Sequence, residues 1–141
     1  MYEYTIKLNK VIDGDTIIAD IDLGFDVWLK DQYIRLNGLD TPEIKSKDKL
    51  HRAAGLLAKT KLTEILSSAK GLSLKSDKFE AEDDKYGRVM GTIWIDQETN
   101  VNAYLLNNKL AVPYSGQNKA EIMKAHGANI EFLINNNLLQ T

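Results

Sequence analysis

Thr5-Ile6-Lys7-Leu8-Asn9-Lys10-Val11-Ile12-Asp13-Gly14-Asp15-Thr16-Ile17-Ile18-Ala19-Asp20-Ile21 is the stretch whose reading decides the fold. Residues 5–11 alternate apolar and polar side chains, the period of a strand with one buried face. After Gly14, residues 15–21 continue with β-branched side chains and predict a second strand. The glycine between the two runs predicts a bulge or a bend. Asp22 to Gly24 reads as a turn. Val27-Trp28-Leu29 and Tyr33-Ile34-Arg35-Leu36 then predict a third strand region, interrupted near Asp31. Pro42 ends the sheet signal and holds Thr41 in an extended conformation.

Beyond Pro42 the period changes. Ala54, Ala58, Leu62, Ile65, Leu66 and Ala69 recur at helical spacing with Leu57 beside them, which predicts an amphipathic helix over 52–69 stopped by Gly71. Leu72-Ser73-Leu74-Lys75-Ser76 and residues 89–95 predict two more strands, joined by the polar segment 80–86. Asn100 is a cap for a helix over 101–107. A last helix spans about 119–135, and Asn135-Asn136-Asn137 marks a frayed end. About five strands with a helix inserted after the third predict an α+β fold: a five-stranded OB-type Greek-key β-barrel with about three helices. A two-sheet α+β fold is the alternative.

The chain has 141 residues, of which 43% are hydrophobic and 27% charged, a composition and length that suit one globular domain over 1–141. No apolar run approaches the roughly 20 residues that span a bilayer, and residues 1–5 show no signal-peptide pattern. A cytoplasmic location is expected, with secretion requiring a longer precursor, and a monomer is expected. There are no cysteines, which excludes disulfides, thiolate metal sites and a cysteine nucleophile. The two histidines, His51 and His126, are far apart in sequence, so a metal here would take oxygen ligands, pointing to calcium, magnesium or manganese. The formal net charge of -2 argues against tight non-specific binding to nucleic acid. Basic residues nevertheless cluster at Lys45, Lys47, Lys49, His51 and Arg52, either as a solvated surface or as a contact region.

Asp13, Asp15, Asp40 and Glu43 sit at strand ends or beside turn residues. Carboxylates next to Gly or Pro also serve as turn formers, because Asp bonds its own backbone there. Arg35 interrupts an apolar strand on the side opposite Ile34 and Leu36, and Arg88 follows a glycine just before a strand. Together these groups form a chemical set. Phosphodiester cleavage must neutralise charge on phosphate oxygens, which a hard divalent cation and planar arginine donors both do. Carboxylates hold the cation, and a further carboxylate takes a proton from water. No histidine other than His51 lies nearby in sequence for that base, which leaves Glu43.

Val11-Ile12-Asp13-Gly14-Asp15-Thr16, then Arg35 with Asp40-Thr41-Pro42-Glu43, then Asp84-Lys85-Tyr86-Gly87-Arg88, resemble the signature blocks of the staphylococcal nuclease (thermonuclease) family. Val101-Asn102 with Leu105, Leu106, Leu110 and Ala111 is similar to that family's next helix. The blocks follow family order from about residue 10 to 112. The resemblance implies an OB-fold barrel and a calcium-dependent nuclease acting on DNA and/or RNA, leaving 5′-hydroxyl and 3′-phosphate ends. It implies Ca2+ on the Asp15 and Asp40 carboxylates and the Thr41 carbonyl, with Asp13 behind them. Glu43 would activate water, and Arg35 and Arg88 would bind the phosphate and stabilise the transition state. Lys85, Tyr86 and Tyr114 would contact substrate, Tyr114 with a one-residue slip in spacing. Residues 50–55 lack the Pro-Glu-Ala pattern common before the family's first helix. The alternative is a catalytically weak or inactive nuclease-like module that binds nucleic acid or a protein.

Overall fold

The computed structural model describes residues 2–76 and 88–140. Its elements run β1 (Tyr2–Asp13), β2 (Thr16–Asp22), β3 (Trp28–Leu36), β4 (Leu39–Asp40), α1 (Lys49–Ser67), β5 (Leu72–Ser76), β6 (Val89–Ile95), β7 (Thr99–Asn100), α2 (Val101–Asn107), β8 (Val112–Pro113) and α3 (Lys119–Asn135). β1 pairs antiparallel with β2 and β5, β2 with β3, and β5 with β6. A parallel pairing of β3 with β6, Ile34 opposite Val89 and Leu36 opposite Gly91, closes the five long strands into a mixed barrel. Among the described residues this is the α+β, OB-like barrel with three helices that the sequence predicts. β4 and β8 form a separate short ribbon, with Asp40 opposite Val112.

Alternating side chains of the strands, among them Ile6, Ile17, Ala19, Ile34, Leu36, Leu74 and Ile93, form one core with Leu62 and Leu66 of α1 and Val101 and Leu105 of α2. Buried Asn102 ties α2 to the barrel. Its Nδ2 donates to the carbonyls of Asn37 (3.0 Å) and Gly91 (3.2 Å), and its Oδ1 accepts from Ile93 N (3.2 Å). The Gly91 carbonyl also accepts from Asn37 N at 2.9 Å, so the Asn102 amide links the segment after β3 to β6.

Some expected boundaries move, each for a local reason. α1 starts at Lys49 rather than at 52, because the Asp48 carboxylate caps it by accepting from Leu50 N (2.9 Å) and His51 N (3.1 Å). It ends at Ser67, and Gly71 is not its cap. The amide of Gly71 instead donates to Asp96 Oδ1 at 2.7 Å, and its φ lies outside the left-handed region that such a cap requires. The expected interruption in β3 is a local irregularity within one strand: its pairing with β2 shifts register between Ala19 and Ile21, Asp31 takes a positive φ of 53° and its amide donates to Asp20 Oδ1 at 2.8 Å. Asn9 Nδ2 bridges the Asp20 (2.8 Å) and Asp31 (2.9 Å) carboxylates beside it. Val27 lies in the preceding turn, where its carbonyl accepts from Leu23 N.

The run of three asparagines is an ordered helix stop rather than a frayed end. Asn137, at φ 58°, donates to the Ile134 carbonyl at 3.0 Å, and Leu138 N donates to Leu133 O at 2.8 Å. This is the paired hydrogen-bond pattern of a left-handed C-cap, which asparagine tolerates. The connection expected over 80–86, and with it Lys85 and Tyr86, lies outside the described residues. No helix among the described residues is long and apolar enough to cross a membrane.

Candidate active site

The β1–β2 hairpin turns on Gly14 and Asp15, and the Asp13 carboxylate accepts the Asp15 amide at 3.1 Å. Gly14 has no room for a side chain. A Cβ there would lie 2.7 Å from Ala58 Cβ and 2.9 Å from Thr41 Cγ2. The hairpin tip can therefore press against α1 and the 40–43 segment, which brings Asp15 to Thr41. Asp15 Oδ2 accepts from both the Thr41 amide and the Thr41 hydroxyl, each at 3.1 Å, and Oδ1 accepts from Thr16 Oγ1 at 3.0 Å. Gly55 does similar work from the helix side. A Cβ on it would meet the Pro42 carbonyl at 2.5 Å and Glu43 C at 3.0 Å, so the Pro42–Glu43 backbone crosses α1 in direct contact. Residues 50–55, which depart from the family pattern, supply this glycine.

Arg35 points away from Ile34 and Leu36, as alternation predicts, and is largely buried. Its guanidinium spans two carboxylates, with Nη1 3.3 Å from Asp15 Oδ2 and Nη2 3.4 Å from Asp40 Oδ1. Arg88 lines a cavity of about 270 Å³ together with Arg35, Asp40 and Tyr114. Glu43 is exposed, and its carboxylate makes no hydrogen bond or ion pair with the described residues. It lines a larger cleft of about 870 Å³ with Asp40, Thr41, Tyr114 and the lysines 45, 47 and 119. Asp13, Asp15, Arg35, Asp40, Thr41, Glu43, Arg88 and Tyr114 are thus gathered in one region. Lys49 and Arg52 are not part of the cleft lining; Arg52 Nη1 instead donates to the Ser46 carbonyl at 2.9 Å. An apolar cavity of about 310 Å³ on the far side of His51 contains Asp48 and Glu131 but no lysine or arginine.

The charges are unevenly matched. Burial pushes the Asp13 carboxyl up from 3.8 to about 7, helped by its hydrogen bond with Asp15 and by the Asp15 charge. Burial acts on Asp15 in the same upward direction. There the Arg35 charge and the hydrogen bonds from Asp13, Thr41 and Thr16 outweigh it, and the carboxyl is held below its ordinary value. The two neighbouring carboxylates are thus pushed in opposite directions, Asp13 up and Asp15 down. The folded chain therefore keeps a proton on Asp13 that the unfolded chain has released between pH 3.8 and about 7. Stability of the cation-free chain should fall as pH rises through that window, and Asp13→Asn should flatten the fall. Urea unfolding in chelator at both ends of the window measures it; an unchanged slope in the variant would assign the effect elsewhere.

The donor set fits a hard divalent cation. The Asp15 and Asp40 carboxylates are hard oxygen donors, and they already converge on a single positive group. Among the described residues no group of three or more His, Cys, Asp or Glu side chains is placed to hold a metal ion. Backbone oxygen and water would have to complete the shell, as is usual for such ions.

Sequence reasoning missed His126. It lies in α3, 2% exposed, with Nε2 2.8 Å from Asp40 Oδ2. Its ring packs edge-on against that of His51, 6.1 Å between centroids. The signal was present: Ile122, His126, Ile130 and Leu133 share one helical stripe, and a histidine among aliphatic residues marks a polar partner across the interface. Lys119, Ile122 and Met123, which form the α3 wall of the larger cleft, carried no such signal.

Residues 33–131 match the family described as Staphylococcal nuclease homologue. The chain is 36% identical over 109 residues to a thermonuclease of Staphylococcus hyicus, covering 77% of this chain and 56% of that protein. It is 33% identical over 108 residues to a thermonuclease of Staphylococcus intermedius, covering 77% and 54%. It is 31% identical over 106 residues to the SPbeta prophage-derived endonuclease YokF of Bacillus subtilis, covering 75% and 33%. The chain thus spans about half the length of the thermonucleases it matches.

Proposed function

This chain belongs to the staphylococcal nuclease homologue family, and from that premise we propose that it is a calcium-dependent nuclease hydrolysing phosphodiester bonds of DNA and/or RNA to 5′-hydroxyl and 3′-phosphate ends. The observation that carries the reading is the convergence of Asp15 and Asp40 on the Arg35 guanidinium, beside a Glu43 that lines a lysine-lined cleft and makes no side-chain bond among the described residues.

Asp15, Asp40 and the Thr41 carbonyl would hold one Ca2+, with Asp13 supporting Asp15 from behind. The ion would supply Lewis-acid stabilisation of a phosphate oxygen. Glu43 is the group with a carboxylate to spare, and takes the proton from the attacking water. Arg35 and Arg88 share a cavity with Asp40 and present planar donors to the phosphate, whose charge grows in the transition state. Tyr114, with Lys85 and Tyr86, would contact the neighbouring nucleotide.

The test is cleavage of single-stranded and duplex DNA and of RNA with calcium, magnesium or excess chelator. Calcium is expected to support cleavage best and chelation to abolish it. Full activity in chelator would sink the metal-dependent reading. Superior activity with magnesium would remove calcium and leave the rest.

The lysines of the cleft define a second expectation. Lys45, Lys47 and Lys119 should set the salt dependence of binding, because each phosphate neutralised on a single strand contributes about −0.7 to the slope of log K against log salt. Replacing all three by alanine should raise KM more than it lowers turnover and should flatten that slope. Lys49→Ala, a change outside the cleft lining, should do neither. An unaltered slope in the triple variant would make this side of the cleft a solvated surface.

A further inference from the structure

We propose that His126 is a positioning residue for the cation site: it donates from Nε2 to Asp40 Oδ2 and so keeps the carboxylate turned with its other oxygen toward Arg35. The inference rests on the metal-dependent reading above and adds to it a residue from α3.

An ionised carboxylate only accepts hydrogen bonds, so at 2.8 Å the proton between the two groups sits on Nε2. Asp40 is then held at both ends, by His126 at Oδ2 and by Arg35 at Oδ1. The two anchors differ in kind. Arg35 pairs its charge with the carboxylate, whereas a ring N–H orients the group through a single directed hydrogen bond. They also differ in exposure. The Asp40 side chain is 30% exposed and that of His126 3%, so the imidazole anchors the carboxylate from the buried side of the interface.

A purely structural histidine explains the site less well. Nδ1 of His126 is buried with no hydrogen-bond partner among the described residues, and the same holds for both ring nitrogens of His51 beside it. A core position that leaves a polar atom unpaired is poorly served by histidine, since an aliphatic residue would pack there without that cost. Among the described residues, the one hydrogen bond the ring makes is the bond to Asp40. The edge-on His51 ring braces it from the side, so the imidazole reaches the carboxylate from a fixed direction.

The full chain is titrated with calcium alone by isothermal calorimetry, as the parent, His126→Leu and His126→Gln, with circular dichroism as the folding control. Losing a group that orients a metal ligand typically costs about 10–100-fold in affinity, and that loss is expected for His126→Leu. Glutamine can place an amide donor near the Nε2 position and should bind calcium within about threefold of the parent, under 1 kcal/mol. Calcium binding by His126→Leu as tight as the parent's overturns the inference alone. So does a loss in His126→Gln as large as that in His126→Leu. A parent that binds no calcium overturns the inference and the metal-dependent reading together. Long-range 1H–15N correlation on the parent, which needs no folded variant, should find a proton on Nε2. A proton on Nδ1 with a bare Nε2 overturns the inference even if His126→Leu does not fold.

Discussion

Glu43→Gln is expected to lower turnover by about 10²–10⁴-fold, the usual contribution of a general base, with little change in calcium affinity, KM or stability. Glutamine keeps the size and polarity of the side chain and loses the ability to take a proton. Structural damage is not expected, because the side chain is exposed and makes no hydrogen bond or ion pair with the described residues. Arg88→Ala should also act on turnover, by roughly 3–4 kcal/mol if it resembles loss of an oxyanion donor. Rates under saturating substrate, calcium titrations and circular dichroism on each variant separate these effects. Should both variants stay folded and cut within about threefold of the parent, a difference under 1 kcal/mol, the site as drawn is wrong.

Asp15→Ala is expected to be the more damaging change, and in two ways. Calcium binding should be lost, because one of two carboxylates is gone. Folding should also suffer. Asp15 is buried, pairs with Arg35 at 3.3 Å and accepts from the Thr41 amide and hydroxyl, so its removal leaves a buried guanidinium and a buried amide short of partners. Breaking such a pair from one side costs about 3–5 kcal/mol, offset in part by relief of the repulsion that raises Asp13. Asp15→Asn separates the two effects. The amide oxygen can still accept from Thr41, so stability should fall less, while the charge that draws the cation is absent. Denaturant unfolding in chelator and calcium calorimetry on both variants make the comparison. Parental calcium affinity in Asp15→Asn would remove Asp15 from the ligand set.

The strands and helices were legible because their signals are local. Alternation in 5–11 and 15–21, and the 3.6-residue stripe through Ala54, Ala58, Leu62 and Leu66, depend on nothing beyond the segment itself. Where local reading slipped, a side chain from elsewhere in the chain or a cap outside the periodic run had intervened. Asp20 and Asn9 carry β3 through Asp31, Asp48 starts α1 early, and Asp96 takes the amide of Gly71.

For the candidate site, the sequence alone determined the ordered set of Asp13, Asp15, Arg35, Asp40, Thr41, Glu43 and Arg88, since residue type and order are written along the chain. Which of these touch was decided by tertiary structure. Arg35 lies between two carboxylates because closure of β3 onto β6 and the β4–β8 ribbon bring Asp40 back toward the β1–β2 hairpin. Gly14 and Gly55 matter because a Cβ at either would collide with backbone or side chains more than ten residues away. His126 joins Asp40 across 86 positions, a contact that exists only once α3 has packed with Ile130 and Leu133 against Ala54 of α1. Periodicity tells which face of a helix is buried; what that face meets is set by the packing of the whole chain.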